Sequence, residues 1–494
     1  MQLPFGEWLP DQPAHLNPGA TVATNVYHAQ TSYKPVKGLV AYSGASTVTQ
    51  NAKGAGSFRD NTNTVFTFVG TKDNIYKLTS GTFASVKGSC TISGTDTDFF
   101  TFTQFGQFII ASNGKDAPMY YLMGTSTNFA TLQSLATSTG SGTVPAKFKV
   151  SGVVRDFLVT GNIENAKNRV QWSGLNDIST WESGVKSSDL QDLPGSGGQV
   201  VAITSGEVGY IFRQDQITRL DFVGGSTVFR FSVLSPNRGA VYGQTVCQDN
   251  RQVFFYASDG FFQLNGDQVL PIGAEKVNRF FESDLNKAYT DRITSAVDPF
   301  NTLAIWLYPS KDNPNTTGVC DKLLIYNYVT QKWSIAKVKA SQIFKQFVIA
   351  NTVELMDIVS ENLDDINISL DTDFWTTGHL YLGAIDENFK AAIFSGTTLE
   401  AEIETKETEI FPNARADITG IRPIVDASAS VTVKTRDRLA DAVTISASSS
   451  MNNSGINPVR QSGRYMRANV KIPAGSIWNH AQGIDLTASP GGNR

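Results

Sequence analysis

The chain has 494 residues, of which 40% are hydrophobic and 11% aromatic, so it is too long for one compact core and holds apolar material for several. Its 41 Lys and Arg residues against 45 Asp and Glu give a formal net charge of -4, which argues against a protein that binds nucleic-acid phosphates over much of its surface. The N-terminus has no basic flank followed by an apolar run, and no segment approaches the roughly 18 apolar residues of a membrane helix. We therefore expect neither a secretory signal nor a membrane anchor.

The first 59 residues differ from the rest in being rich in proline and in having no repeat partner. Four prolines fall early in the chain, at positions 4, 10, 13 and 18. Proline removes a backbone donor and favours extended conformations. The segment 1–59 is therefore predicted to be an extended arm that packs on the C-terminal domain.

Between residues 60 and 339 one pattern recurs: an aromatic and β-branched run, a Gly, Asn or Asp turn, and another such run, as in antiparallel β-structure. Six such runs stand out at nearly regular spacing: Val65–Val69, Phe108–Ala111, Phe157–Thr160, Gly209–Phe212, Val253–Tyr256 and Ala304–Tyr308. Repeats of about 40 to 50 residues with several strands each are typical of β-propeller blades. The pattern predicts an all-β protein with a propeller of about six blades, and two stacked β-sandwiches are the alternative fold.

The regular period ends near residue 340. One helix is expected before that, over residues 274–282, where apolar residues at helical spacing follow a Pro-Ile-Gly turn. Residues 340–395 mix weak strands with acidic residues, and we interpret them as an irregular insertion or distal tip that also closes the propeller. Strand-like alternation returns over 396–494, which predicts a β-sandwich that serves as an oligomerisation platform.

Charge is unevenly distributed along the chain. Residues 351–410 hold fourteen acids and two lysines, whereas residues 417–494 hold nine bases and five acids. Such runs are commonly an ordinary solvated surface. The functional alternatives are charge complementarity between neighbouring subunits, or an acidic wall that does not retain a polyanion moving past it.

Residues suited to catalysis are few. Metal-ligand spacing is absent among the four histidines, which are His15, His28, His379 and His480, and the sequence has no nucleophile elbow or phosphate-binding glycine loop. Two stretches, Asp96-Thr97-Asp98 and Asp371-Thr372-Asp373, match only the first half of a calcium loop. The three cysteines are far apart, which is typical of packed thiols. We therefore expect a protein that is not an enzyme and has no cofactor or metal.

Several stretches spread over nearly the whole chain share a recognisable pattern: Leu3-Pro4-Phe5-Gly6-Glu7-Trp8-Leu9-Pro10-Asp11, Asn168–Gly174 with Trp181, Asp192-Leu193-Pro194, Ser258–Phe262, Ala296-Val297-Asp298-Pro299, Ser462–Tyr465 and Trp478–Gly483. Together they resemble the tail hub or nozzle proteins of short-tailed bacteriophages, also called packaged-DNA stabilisation proteins. The resemblance implies a structural virion protein, made in the host cytoplasm and located in the virion tail. It implies a six-fold ring of propeller subunits with a β-sandwich platform, which extends the DNA channel, retains packaged DNA and conducts it during ejection.

The same resemblance implies the partners: further copies of the chain in a homohexameric ring, a tail adaptor ring above, a tail tip, needle or knob protein below, tail fibres or spikes, and double-stranded DNA in transit. A platform beside these neighbours gives the candidate contact residues, since Arg forms forked bonds to carboxylates and exposed aromatics favour interfaces. They are Trp8, Arg422, Arg436, Arg438, Arg464, Arg467 and Trp478. The candidate channel or tip residues are Asp364, Asp365, Asp371 and Asp373.

Two other functions fit the same sequence. One is a propeller that binds or degrades host-surface glycans, which would use paired carboxylates for hydrolysis, although the repeated aspartate box of sialidases is absent from the sequence. The other is a soluble propeller scaffold for protein partners. The subunit count and symmetry of the assembled particle would separate both from a closed six-fold ring.

Overall fold

The computed structural model describes residues 1–15, 17–41, 46–79, 81–225, 227–313, 319–347 and 380–491. Within these ranges strands dominate, accompanied by two short α-helices and three 3-10 turns. The predicted all-β class is confirmed. Neither α-helix of the described ranges is long and apolar enough to cross a membrane.

The N-terminal segment supplies five short strands, which are β1 (Gln2–Pro4), β2 (Val22–Thr24), β3 (Val26–Ala29), β4 (Ser32–Pro35) and β5 (Val40–Ala41). Five four-stranded antiparallel sheets follow in chain order. The first two are β6 (Ala55–Arg59), β7 (Val65–Gly70), β8 (Ile75–Thr79) and β9 (Thr82–Ser85), then β10 (Thr101–Phe105), β11 (Phe108–Ser112), β12 (Met119–Leu122) and β13 (Ala130–Thr131), with helix α1 (Leu132–Thr139) after them. The third is β14 (Phe148–Val154), β15 (Phe157–Ile163), β16 (Ala166–Trp172) and β17 (Asp189–Asp192). The fourth is β18 (Val200–Ile203), β19 (Gly209–Arg213), β20 (Ile217–Phe222) and β21 (Phe229–Ser235). The fifth is β22 (Cys247–Asp249), β23 (Gln252–Ala257), β24 (Gly260–Asn265) and β25 (Gln268–Pro271), and helix α2 (Asn278–Asp284) follows it.

Two further four-stranded units share one long strand. The sixth unit is β26 (Thr294–Asp298), β27 (Leu303–Tyr308), β28 (Cys320–Asn327) and the first part of β29 (Lys332–Phe347). The second part of β29 begins the seventh unit, which continues through β30 (Leu380–Asp386) and β31 (Ala391–Ile393). Its fourth strand is β5 from the N-terminal segment, with Ala41 opposite Ala392 and Val40 opposite Ile393.

The seven units form a closed ring. The first strand of each unit contacts the first strand of the next unit. The exception lies between the fourth and fifth units, where the 3-10 turn Gly243–Thr245 that leads into β22 contacts β18 instead. The second part of β29 contacts β6 and so joins the seventh unit to the first. The predicted propeller is confirmed, and it has seven blades rather than about six.

The second strand of each blade is buried on both faces. In β15 and β27 all residues are buried, which explains why these strands read as continuous apolar runs rather than as alternating ones. The six runs that indicated blades in the sequence are the second strands β7, β11, β15, β19, β23 and β27.

The C-terminal part of the chain forms a β-sandwich. Its strands are β32 (Ala401–Glu404), β33 (Thr408–Glu409), β34 (Ala416–Val425), β35 (Ser430–Arg436), β36 (Thr444–Ile445), β37 (Ser449–Ser450), β38 (Asn457–Gly463), β39 (Tyr465–Ile472) and β40 (Ala481–Pro490). One sheet has the order β3-β4-β40-β34-β38 with β1 also on β40, and the other has the order β2-β32-β39-β35-β36. We call this sandwich, formed by β1–β4 and β32–β40, the platform.

Propeller and platform are joined by a continuous sheet. Strand β2 runs parallel to the outer part of blade six, with Thr24 opposite Ile335, and antiparallel to β32 on its other side. Trp306 and Trp333 of blade six lie in the same buried cluster as Val431 and Ile484 of the platform. A shared core of this kind makes the two parts one folding unit.

Three boundaries differ from the sequence expectations. The arm predicted over 1–59 supplies four platform strands, the outer strand of blade seven and, from residue 55, the first strand of blade one. The described parts of 340–395 are regular strands of blade seven, which closes the propeller as predicted, and the insertion or tip predicted there falls on residues 348–379, outside the described ranges. The helix expected at 274–282 is α2 at Asn278–Asp284, and α1, which is rich in Ser and Thr, was not predicted.

Candidate functional site

The two tryptophans predicted at an interface are buried within the chain. Trp8 is 3% exposed and packs edge-on against Phe280, with ring centroids 5.0 Å apart. Trp478 is equally buried and belongs to the core shared by propeller and platform. Their prediction as contact residues is wrong, because large aromatics of this kind gain more from filling a core than from a partly wet surface.

Three of the five candidate arginines are committed to ion pairs inside the platform. Arg436 binds Glu407 through two bonds, with Nε to Oε1 at 2.8 Å. The other two pairs are Arg464 with Glu409, at 2.8 Å from Nε to Oε1, and Arg467 with Glu404, at 3.1 Å. Arg464 also holds the pKa of Glu409 below its ordinary value. These three arginines form ion pairs inside the platform, and their role as contact residues stays a prediction.

The remaining two arginines are exposed. Arg422 lies on β34 with Asp485 of β40 as its register partner, and Arg438 lies just beyond the end of β35. Neither forms an ion pair with any residue of the described ranges. Of the predicted contact residues, these two are available to a partner.

The ion pairs of the platform lie together on one sheet. Strand β39 pairs with β32 and β33 on one side and with β35 on the other. This arrangement places glutamates of β32, of β33 and of the turn between them beside bases on or next to β35 and β39. The pairs are Glu402 with Lys471, Glu404 with Lys434 and Arg467, Glu407 with Arg436, and Glu409 with Arg464. Four glutamates of the acidic segment are therefore paired with bases of the basic segment within one chain.

The channel or tip residues predicted at Asp364, Asp365, Asp371 and Asp373 lie outside the described residues. The strands on either side of this segment are paired, with Phe347 of β29 opposite Leu380 of β30. The segment is thus inserted between the first and second strands of blade seven, at the C-terminal end of the first strand.

A cavity of about 390 Å³ lies beside the first strands of blades two to five, and we call it the axial cavity because the first strands form the inner ring of the propeller. Its wall includes residues at or before the N-terminal ends of β10, β14, β22 and β26, residues along the length of β18, and Asn162 of β15. The charged side chains of this wall are Lys149 and Asp291. Burial lowers the pKa of Lys149, with the charges of Asp98 and Lys167 acting in opposite directions.

A second cavity of about 230 Å³ involves Lys53 and Asp96. Lys53 is 5% exposed, its ammonium donates to the backbone carbonyl of Asp96, and it lies 5.2 Å from the ring centroid of Phe99. Burial lowers the pKa of Lys53, and the charge of Asp291 opposes this effect. Lys53 and Asp291 thus link the two cavities electrostatically, which sequence spacing could not reveal because 238 positions separate them.

His28 and Cys247 are buried inside the fold. His28 Nε2 lies 3.1 Å from Lys332 Nζ, and burial together with that charge lowers the pKa of His28 to about 4. Burial raises the pKa of Cys247 to about 12, which keeps the thiol protonated. Over the described ranges, His, Cys, Asp and Glu form no group of three that could hold a metal ion.

Comparison with known proteins adds little. No protein-family model and no curated protein matches the chain. Similar solved structures include a chain of the mitotic checkpoint complex, with 9% identity, a TM-score of 0.38 and coverage of 75% of this chain and 98% of that one. A second is U3-55K, with 11% identity, a TM-score of 0.38 and coverage of 77% of this chain and 100% of that one. A third is BBS1N in complex with ARL6DN, with 9% identity, a TM-score of 0.40 and coverage of 76% of this chain and 99% of that one. No argument rests on similarities this low, and the propeller follows from the sheet topology above.

Proposed function

We propose that the protein is a structural subunit of a short bacteriophage tail and forms the hub or nozzle ring that continues the DNA channel below the adaptor. The support is the combination of a β-propeller with a β-sandwich platform, which is what the family resemblance implies. The observation that carries the proposal is the continuous sheet β29-β2-β32, because it joins propeller and platform through backbone pairing. A ring that retains packaged DNA must resist force without separating its domains.

The proposed contacts with the adaptor ring and with neighbouring subunits lie on the platform. Arg422 and Arg438 are its exposed arginines among the predicted contact residues. Arg forms bidentate bonds with carboxylates, so an acidic surface on a neighbour is the matching partner. The tip, needle or knob protein and the fibres or spikes would bind elsewhere on the ring.

The proposed role of the acidic insertion concerns DNA in transit. Asp364, Asp365, Asp371 and Asp373 belong to a segment that holds seven acids and no base over 351–379. DNA carries about one charge per 1.7 Å of axis, so basic walls retain it by counterion release whereas acidic walls let it slide. The effect reaches about 8 Å at physiological salt, so only acids close to the duplex would contribute.

The test is the location and copy number of the chain in virus particles. Antibodies against the purified protein, applied to particles produced by a phage that encodes it, should label one vertex at the tail. Quantitative mass spectrometry of the same particles should give six copies per particle. Absence of the chain from particles, or a copy number that does not fit a six-fold ring, would contradict the proposal.

A further inference from the structure

The axial cavity has the size and wall of a small-molecule site. Its volume of about 390 Å³ falls in the range of ligand pockets in proteins. Blades two to five and the connection before blade six contribute to the wall, so its shape is fixed by the packing of several blades rather than by a single loop. Sites held on rigid strands keep polar groups in fixed positions.

Three polar side chains on this wall, those of Lys149, Gln244 and Asp291, lack partners within the part of the chain that the structure describes. The ammonium of Lys149 and the side-chain amide of Gln244 form no hydrogen bond or ion pair with any residue of the described ranges. The carboxylate of Asp291, which comes from the connection before blade six, likewise has no hydrogen-bond donor there. A half-buried ammonium without a counter-ion is costly, as the lowered pKa of Lys149 reflects, so an anion placed beside it would be stabilised.

A backbone irregularity directs another amide to the same wall. Asn162 lies inside β15 but has a φ of 57°, at a register shift between Gly161 and Ile163. Its Nδ2 donates to the backbone carbonyl of Val200 at 2.7 Å, and the side chain is buried. Bulges with left-handed residues are enriched next to binding sites, where they re-aim a side chain at a cost in strain.

The neutral part of the wall selects the chemistry of the ligand. Four amide side chains line the cavity. Asn162 Nδ2 donates to the carbonyl of Val200, and Gln248 donates to the carbonyls of Ser205 and Asn250 while it accepts from the Ser205 amide. Gln244 and the amide nitrogen of Gln199, whose Oε1 accepts from Asn162, are the amide groups on the wall without a partner in the described ranges. Amides both donate and accept, so they match the vicinal hydroxyls of a sugar better than they match an apolar ligand. Asp291 adds an acceptor for sugar hydroxyls, and the nearby charge of Lys53 offsets the carboxylate.

We propose that the axial cavity binds a small polyhydroxylated anion, namely an acidic monosaccharide unit such as a uronate. Lys149 pairs with the sugar carboxylate, and Gln244, the amide nitrogen of Gln199 and Asp291 hold the hydroxyls. This site does not depend on a role in a phage tail, because it belongs to a single propeller and would persist in any assembly of the chain.

The test is binding of uronates to the purified full-length protein, measured by isothermal calorimetry. Glucuronate and galacturonate are the probes, and methyl glucoside and inorganic phosphate are the comparison ligands. We expect at least one uronate to bind, and methyl glucoside and phosphate to bind at least about tenfold more weakly, because each lacks one half of the recognised chemistry.

Two lysine variants make the test specific. Lys149→Gln should weaken uronate binding about tenfold or more, since it removes a charge-assisted bond. Lys167→Gln is the matched control, because Lys167 is exposed, influences Lys149 through its charge and lies outside the cavity wall. Equal melting temperatures would establish that both variants fold. The proposal is overturned if neither uronate binds, if phosphate binds as tightly as the uronates, or if both variants bind uronate like the wild type.

Discussion

Arg436 and Glu407 form a two-bond ion pair in which the carboxylate side chain is only 2% exposed and the guanidinium 16%. Arg436 also donates from Nη1 to the backbone carbonyl of Leu439 at 2.5 Å. The acids of 402–409 and the bases of the C-terminal segment therefore complement each other inside one platform. Complementarity between subunits is not needed to explain the uneven charge at these positions.

Removing one partner of this pair should destabilise the fold. Arg436→Met leaves the Glu407 carboxylate buried without its counter-ion, and we expect a loss of about 3–5 kcal/mol in the free energy of unfolding. The double variant Arg436→Met with Glu407→Met should recover most of this loss, because no buried charge remains. Urea unfolding followed by tryptophan fluorescence measures both.

The exposed pair Arg169–Asp192 provides the control. Its side chains are 35% and 52% exposed, so Arg169→Met should cost less than about 1 kcal/mol. Equal losses for Arg169→Met and Arg436→Met would mean that burial of Glu407 has no energetic effect.

Trp306 anchors the core between propeller and platform. Its ring is fully buried, its centroid lies 5.7 Å from that of Trp333, and its Nε1 donates to the backbone carbonyl of Thr245 at 2.9 Å. Trp306→Ala should cost about 3–5 kcal/mol through the cavity it creates. Trp306→Phe keeps most of the volume and should lose less, and similar losses for the two variants would argue against a packed site. Differential scanning calorimetry of both variants would measure this.

Six blades could be predicted from the sequence because their second strands are buried on both faces. Each of these strands is a short apolar run, and the runs repeat at nearly regular spacing. Blade seven breaks this spacing, since residues 348–379 separate its first two strands and residues 40–41 supply its last. Pairing between positions some 350 residues apart leaves no local signal.

The site residues were harder to predict for a related reason. The sequence shows a segment of glutamates and a separate segment of arginines. It does not show whether these charges pair between strands of one chain or between neighbouring chains. Here β39 lies between β32 and β35, which brings Glu404 within 3.1 Å of Arg467. The axial cavity likewise depends on ring closure, because Lys149 and Asp291 come from different blades.

His28 should make stability depend on pH. Its pKa falls from an ordinary 6.5 to about 4 in the folded chain, so the unfolded chain binds the proton more tightly between these values. Stability is therefore complete above pH 6.5 and is lost as the pH falls toward 4. Between pH 7.5 and 4.5 the wild type should lose about 2–3 kcal/mol more than His28→Gln, whose amide can still accept from Lys332. Urea midpoints at both pH values test this, and parallel curves would exclude His28 as the cause.

Closure of the ring through blade seven can be locked covalently. Ala41 and Ala392 are directly opposite on antiparallel strands, where Cα atoms are about 4.5–5.5 Å apart, within reach of a disulfide. The double variant Ala41→Cys with Ala392→Cys should form this bond on oxidation and raise the free energy of unfolding by about 2–4 kcal/mol. The three native cysteines are buried and should not interfere. Thiol titration and urea unfolding measure the outcome, with Ala41→Cys alone as control; free thiols in the oxidised double variant would contradict the pairing.

The two exposed platform arginines should control assembly without affecting folding. Charge reversal by Arg422→Glu with Arg438→Glu places like charges against the acidic neighbour expected in the tail, where such contacts cost affinity. Neither arginine is in an ion pair of the described ranges, so the melting temperature of the purified variant should stay close to that of the wild type. In phage that encodes the chain, the variant should reduce infectious particles at least about tenfold and leave it out of purified virions. Arg251→Glu, in the turn between β22 and β23, is the matched control, since Arg251 is exposed and, like Arg422 and Arg438, forms no ion pair within the described ranges. If the double variant assembles normally, the adaptor and the neighbouring subunits bind another face of the platform.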